Sequence, residues 1–138
     1  MISIGSLSKM TGVKVPTIRY YEQTGLLPEP HRTEGNQRRY GATGLERLSF
    51  IKHARELGFS IGAIASLIEL EENPDRSCQQ ATDIAREQLV SVQEKIRKLR
   101  ALETELERVA GGCHGKGKSK DCYVLASLAD HRLCHSAH

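Results

Sequence analysis

Thirty-six residues, Asp75 to Ala110, contain no glycine and no proline and are good helix formers almost throughout. Within them apolar residues return every three or four positions, at Ala85, Leu89, Val92, Ile96, Leu99, Leu102, Leu106 and Val109. That period describes one helix with a single apolar seam. Its seven acids and seven bases balance and mostly stand off the seam. Such a helix rises about 54 Å and far exceeds the usual ~11 residues. A 138-residue chain with 38% hydrophobic residues, 4% aromatics and no Trp cannot bury this rod alone. A second copy is the natural partner, so a coiled-coil homodimer is expected.

Cysteines flank the rod. Cys78 falls in its first turn, Cys113 follows its end, and Cys122 comes nine residues later. In a continuous helix Cys78 and Cys113 of one chain stand roughly 50 Å apart, too far to share an ion. In an antiparallel pair the start of one rod lies beside the end of the other. Cys78 of one protomer then meets Cys113 and Cys122 of its partner, at two equivalent sites. The alternative is that the cysteines are unrelated or that the rod breaks near its middle.

Charge is uneven. Residues 1–60 carry nine Lys/Arg against five Asp/Glu, a net +4, whereas residues 61–74 carry −3. A basic N-terminal block suits phosphates. No signal peptide precedes Ile2 and no apolar run is long enough to span a bilayer, so a cytoplasmic protein without membrane contact is expected. In that compartment disulfides are rare, and cysteines bind metal or do redox work.

The first 72 residues read as a DNA-binding head. Ser3 can cap a helix whose Ile4, Leu7 and Met10 share a face, and Thr11-Gly12-Val13 turns into a second helix with Pro16 in its first turn. This second helix runs through Thr17-Ile18-Arg19-Tyr20-Tyr21-Glu22 and stops near Gly25. The pattern is a helix-turn-helix, or equally a helical hairpin that binds nothing. Arg32 to Tyr40 reads as a short hairpin turning at Gly35-Asn36, a basic wing with an aromatic tip. Thr43-Gly44-Leu45-Glu46 forms a capping box that starts a third helix near Gly44. Leu45, Leu48, Ile51 and Ala54 face inward there, leaving Arg47, Lys52 and Arg55 for phosphates. Gly58 ends this helix. Ser60 caps a fourth, with Ile61, Ile64, Leu67 and Ile68 buried. The rod then starts either at Asn73-Pro74 or at Ser77 with Gln80. The expected organisation is mainly α: a winged helix-turn-helix head with linking helices over 1–72, a dimerisation helix over 73–110, and a metal-binding loop, short helix and His/Cys tail over 111–138.

Three stretches together, Thr17-Ile18-Arg19-Tyr20-Tyr21-Glu22 with Gly25-Leu26-Leu27, Arg38-Arg39-Tyr40, and Leu57-Gly58-Phe59-Ser60-Ile61, make the chain resemble the MerR family of transcription regulators over residues 2–130. Gln37 departs from the pattern, standing where an aromatic is often found. The resemblance implies an antiparallel homodimer on a near-palindromic promoter site whose −35 and −10 elements are spaced too far apart. An effector changes the angle between the heads and distorts the spacer until RNA polymerase engages both elements. It further implies DNA contacts from Lys14, Thr17, Arg19, Tyr20, Arg38, Arg39, Tyr40 and Lys52, most of them to the backbone.

Cys78, Cys113 and Cys122 match the cysteines of the metal-sensing branch. A third sulfur at 78, where the monovalent-copper and gold sensors usually have Ser, implies a divalent thiophilic effector: zinc first, then cadmium, lead or mercury. A helix N-terminus at Cys78 favours its thiolate. His114 is a candidate fourth ligand, and His131, Cys134, His135 and His138 could hold a second ion or be an unstructured end. Tyr123, Leu125 and Leu128 are expected to pack the loop against the partner's rod. The competing reading is a redox or electrophile sensor closing a Cys113–Cys122 disulfide. No nucleophile–base grouping or phosphate loop supports an enzyme, and the 28 residues after 110 leave no room for a drug-binding domain.

Overall fold

The computed structural model describes residues 1–112, 115 and 117–129. The chain divides into two compact units, Met1–Ala85 and Arg86–His138. The elements run β1 (Ile2–Ser3), α1 (Ile4–Thr11), α2 (Val15–Gln23), β2 (His31–Arg32), β3 (Arg38–Tyr40), α3 (Ala42–Glu56), α4 (Ile61–Glu71), α5 (Gln79–Gly111), a 3₁₀ turn (Ser119–Asp121) and α6 (Tyr123–Ala129). Among the described residues no helix is long and apolar enough to cross a membrane.

The first unit is a helix-turn-helix closed by a small sheet. Ser3 Oγ accepts the Ser6 N–H at 3.1 Å, capping α1. Gly12, at φ 76°, turns the chain into α2, where Pro16 sits in the first turn. The inner face of α1 is not Ile4–Leu7–Met10. Met10 is 60% exposed and Thr11 is buried in its place, because the 3.6-residue repeat carries the stripe from Leu7 to position 11. The Thr11 hydroxyl is satisfied locally, donating to the Leu7 carbonyl at 2.8 Å and accepting the Val13 N–H at 3.2 Å.

The hairpin forms with its left-handed residue at Asn36 (φ 63°) rather than at Gly35, and Asn36 N–H closes the turn onto the Thr33 carbonyl at 2.8 Å. A strand absent from the sequence reading joins it: β1 pairs with β3, Ile2 opposite Tyr40, giving the order β1-β3-β2. That pairing also corrects the start of α3. Tyr40 ends the sheet, Gly41 caps the helix without a side-chain hydrogen bond, and Thr43 stands inside it, so no capping box forms. The core gathers Leu7 (α1), Ile18 (α2), Leu27, Leu48 and Ile51 (α3) and Ile64 (α4), all fully buried. Each contributes about 1.5–3 kcal/mol relative to exposure.

Gly58 (φ 87°) ends the α3 segment, and Ser60 Oγ accepts the Ala63 N–H at 3.1 Å to cap α4. Asn73 closes α4 instead of opening the rod, its amide donating to the Glu69 carbonyl at 2.7 Å. Of the two starts read from the sequence, Ser77 is the one used: its Oγ accepts the Gln79 N–H at 3.1 Å. The rod α5 is therefore 33 residues long, unbroken. Its seam stands in solvent, with Leu99 65% and Leu106 66% exposed.

Candidate nucleic-acid interface and metal ligands

Helix α2 separates inward from outward residues cleanly. Ile18 and Tyr21 are buried; Lys14, Arg19 and Tyr20 are exposed and Thr17 is half-buried. The wing is held to this helix by one carboxylate. Glu22, whose side chain is 8% exposed, accepts Arg38 Nε at 3.1 Å and also the Tyr40 hydroxyl. Burial first, then the hydrogen bond to Glu22 and its charge, push the Tyr40 hydroxyl well above the ordinary tyrosine value. Tyr40 is thus no aromatic tip. Its ring lies 3% exposed in the core, and its role is to fasten the wing.

Arg39 donates to the Arg38 carbonyl at 3.1 Å and to Gln37 Oε1 at 3.3 Å. Between wing and recognition helix lies a hollow of about 350 Å³ lined by Arg19, Arg38, Arg39, Asn36, Gln37 and the start of α1. Three guanidinium groups and no carboxylate stand in its lining, Arg38 among them already paired with Glu22, a donor set of the kind that suits an anion such as phosphate. Lys52 Nζ lies 3.8 Å from Glu56 Oε1 and 3.1 Å from where a Cβ on Gly12 would stand, beside the C-terminus of α1.

Arg47, read from the sequence as available for phosphate, is committed inward. It donates to Glu72 at 2.8 Å and to the Leu26 carbonyl at 3.4 Å, with a side chain only 15% exposed. Conversely, the hub role of Glu22 was missed. The one available signal was an acid on the recognition helix of an otherwise basic head.

Of the candidate metal ligands, Cys78 is exposed and sits one residue before α5 rather than in its first turn, its carbonyl accepting the Thr82 N–H at 3.0 Å. Cys122 is half-buried, directly before α6, and its carbonyl accepts the Ala126 N–H at 3.1 Å. Cys113, His114, His131, Cys134, His135 and His138 lie outside the described residues. Among the described residues no three His, Cys, Asp or Glu side chains gather within one chain. Leu125 and Leu128 on α6 are exposed.

Residues 2–71 match the family model of the MerR HTH family regulatory protein, and residues 45–109 that described as MerR, DNA binding. The chain belongs to the MerR family. Within the MerR family it is 39% identical over 127 residues to the mercuric resistance operon regulatory protein of Serratia marcescens, covering 92% of this chain and 87% of that one. It is 38% identical over 130 residues to the HTH-type transcriptional regulator ZntR of Escherichia coli K12, covering 93% and 92%. The crystal structure of the transcription regulator PbrR691 from Ralstonia metallidurans CH34 in complex with lead(II) superposes with a TM-score of 0.78 at 38% identity, over 93% of this chain and 99% of that one. The MerR-type head and long helix expected from the sequence are therefore the observed architecture.

Proposed function

We propose that this chain is a metal-responsive transcription regulator. As a homodimer it sits on promoter DNA, and on binding a divalent thiophilic ion, zinc first and then cadmium, lead or mercury, it distorts the promoter spacer so that RNA polymerase can start metal-resistance or efflux genes. The observation that carries this reading is α5. It is unbroken for 33 residues, about 50 Å of helix rise, its apolar seam is exposed, and cysteines flank it in the chain. A solvated seam of this length calls for a second rod, and ligands drawn from both ends of it suit two antiparallel chains better than one.

The donors fit such an ion. Cys78 offers an exposed sulfur, Cys122 a half-buried one, and Cys113 supplies the third in sequence. Soft thiolates in that number suit zinc, cadmium, lead or mercury. His114 is the candidate fourth ligand, and the His131, Cys134, His135 and His138 tail a candidate second site. When bound, the ion would link the start of one rod to the loop of the other. In the head, Lys14, Thr17, Arg19, Tyr20, Arg38, Arg39 and Lys52 contact the duplex, with Tyr40 behind them. Names of relatives support metal sensing: one is named for mercuric resistance, and another was crystallised with lead(II).

The test is complementation. Cys78→Ser chains mixed with Cys113→Ser/Cys122→Ser chains should rebuild one working pocket per dimer, read as stoichiometric metal binding and partial promoter activation. A monomeric protein, or mixed chains that bind no metal, would sink the proposal. Activation by peroxide instead of metal would favour the oxidation sensor.

A further inference from the structure

The loop that carries two of the proposed ligands is tied at its base by a polar cluster. Arg108, in the last turn of α5, sends Nε and Nη2 to Glu105 Oε2 at 3.2 and 2.9 Å and Nη1 to the hydroxyl of Tyr123, the first residue of α6. Its guanidinium carbon lies 5.7 Å from the Tyr123 ring centroid. Glu105 is 5% exposed and is the one buried residue of α5, on a helix whose leucines stand in solvent. A carboxylate is withdrawn from water at a cost that only a well-placed partner offsets, so this burial implies that the pairing is structural.

The other side of the ring closes the argument. Tyr123 lies so close over Gly112 that a Cβ built there would run into the ring. In the chain, Gly112 is bonded to Cys113 and Tyr123 to Cys122. The contact therefore joins the two backbone positions from which the cysteine loop departs and returns. Closing a flexible loop costs entropy that grows with its length, and the Gly112–Tyr123 contact is one such closure between described residues.

We propose that Glu105, Arg108 and Tyr123 are positioning residues for effector recognition. They clamp the base of the loop in advance, so that Cys113 and Cys122 offer their sulfurs as an assembled pair. The inference rests on the proposed function in assigning both cysteines to one pocket, and it adds what makes them a pair: a support outside the ligands of the kind that tunes metal sites.

Two independent variants test it: Tyr123→Phe, which removes the hydroxyl held by Arg108, and Gly112→Ala, which displaces the ring. In a Cys78→Ser/Cys134→Ser background, the reduced protein is equilibrated with glutathione and glutathione disulfide, and the Cys113–Cys122 disulfide is quantified after acid trapping. No metal is present. Each variant should lower the effective concentration of the thiol pair several-fold, because an unclamped loop must lose the closure entropy when its two sulfurs meet. Values equal to those of the parent would overturn the clamp. Full chains carrying all cysteines are then titrated with cadmium against a competing chelator, following the sulfur-to-cadmium absorption band. Affinity about tenfold weaker in both variants is expected, and unchanged affinity counts against the clamp. A parent protein with no such band would count against the metal reading alone, since the metal-free equilibrium judges the clamp separately. Operator affinity, set by the head, serves as the folding control.

Discussion

The two units each contain a Glu–Arg–Tyr cluster, and they use it differently. In the head, Glu22 is the hub, receiving Arg38 and Tyr40 beside a continuous apolar core from Leu7 to Ile68. In the second unit Arg108 is the hub, joining Glu105 to Tyr123, and among the described residues there Glu105 and Ser127 are the buried ones. The head folds on apolar area and uses its polar cluster to aim a wing. The other unit, with no such apolar core among its described residues, depends on polar pairing and, on our reading, on a second chain. The same three residue types thus orient one surface and hold another together.

The sharpest way to break this comparison is a core truncation in each unit. Leu48→Ala should cost the head about 2–5 kcal/mol, with operator binding lost at temperatures the parent survives. Leu99→Ala, on the exposed seam, should leave the thermal unfolding of the head unchanged while weakening dimerisation in sedimentation equilibrium. If Leu99→Ala melts the head as Leu48→Ala does, the two units do not differ in what supports them.

Arg19→Ala comes next. It removes one of three guanidinium groups around the anion-sized hollow and should weaken operator binding by about 1–3 kcal/mol and flatten its salt dependence. Unchanged affinity at physiological salt would count against the docking face proposed here.

A smaller effect is expected at Tyr40. Because Tyr40 is held protonated in the fold, the stability its hydroxyl contributes is fully present below the ordinary tyrosine value of about 10 and is lost as pH climbs past it toward the raised folded value. The urea midpoint of the parent should therefore exceed that of Tyr40→Phe by a constant amount at neutral pH, and the gap should narrow above pH about 10. A gap that widens there would reverse the sign of the argument.

The smallest effect is expected where the second unit merely looks paired. Glu94 and Arg97 form a hydrogen-bonded ion pair on the exposed face of α5, with Arg97 holding the Glu94 carboxyl below its ordinary value. Arg97→Ala should leave the melting curve unchanged, since solvent screens such pairs. A clear loss would mean that this face is covered in the functional assembly.

Much of the fold was legible from local signals. Gly12 and Gly58 marked their turns because only an unbranched backbone adopts a positive φ there cheaply. Ser3 and Ser60 marked helix starts because their hydroxyls satisfy N–H groups within three residues. The apolar period of α5 announced a rod without reference to anything else. What failed to read did so for definite reasons. The capping box at Thr43 was a valid local option, but the end of β3 at Tyr40 started α3 earlier. Asn73 could cap the helix after it or close the one before it, and the Glu69 carbonyl decided the matter. The ligand set remained a reading of residue types for Cys113, His114 and the tail.

The sequence by itself determined the elements and the chemistry available to them: a recognition helix with one apolar face, a basic wing, a rod with a seam, and soft donors around it. These are set by interactions between residues close along the chain, where periodicity and capping act. Only the tertiary structure decided which polar groups are spent internally, turning Tyr40 inward, committing Arg47 to Glu72 and making Glu22 and Arg108 hubs. Such pairings depend on distances between residues far apart in sequence, and a buried charge is stable only where the fold brings its partner to it.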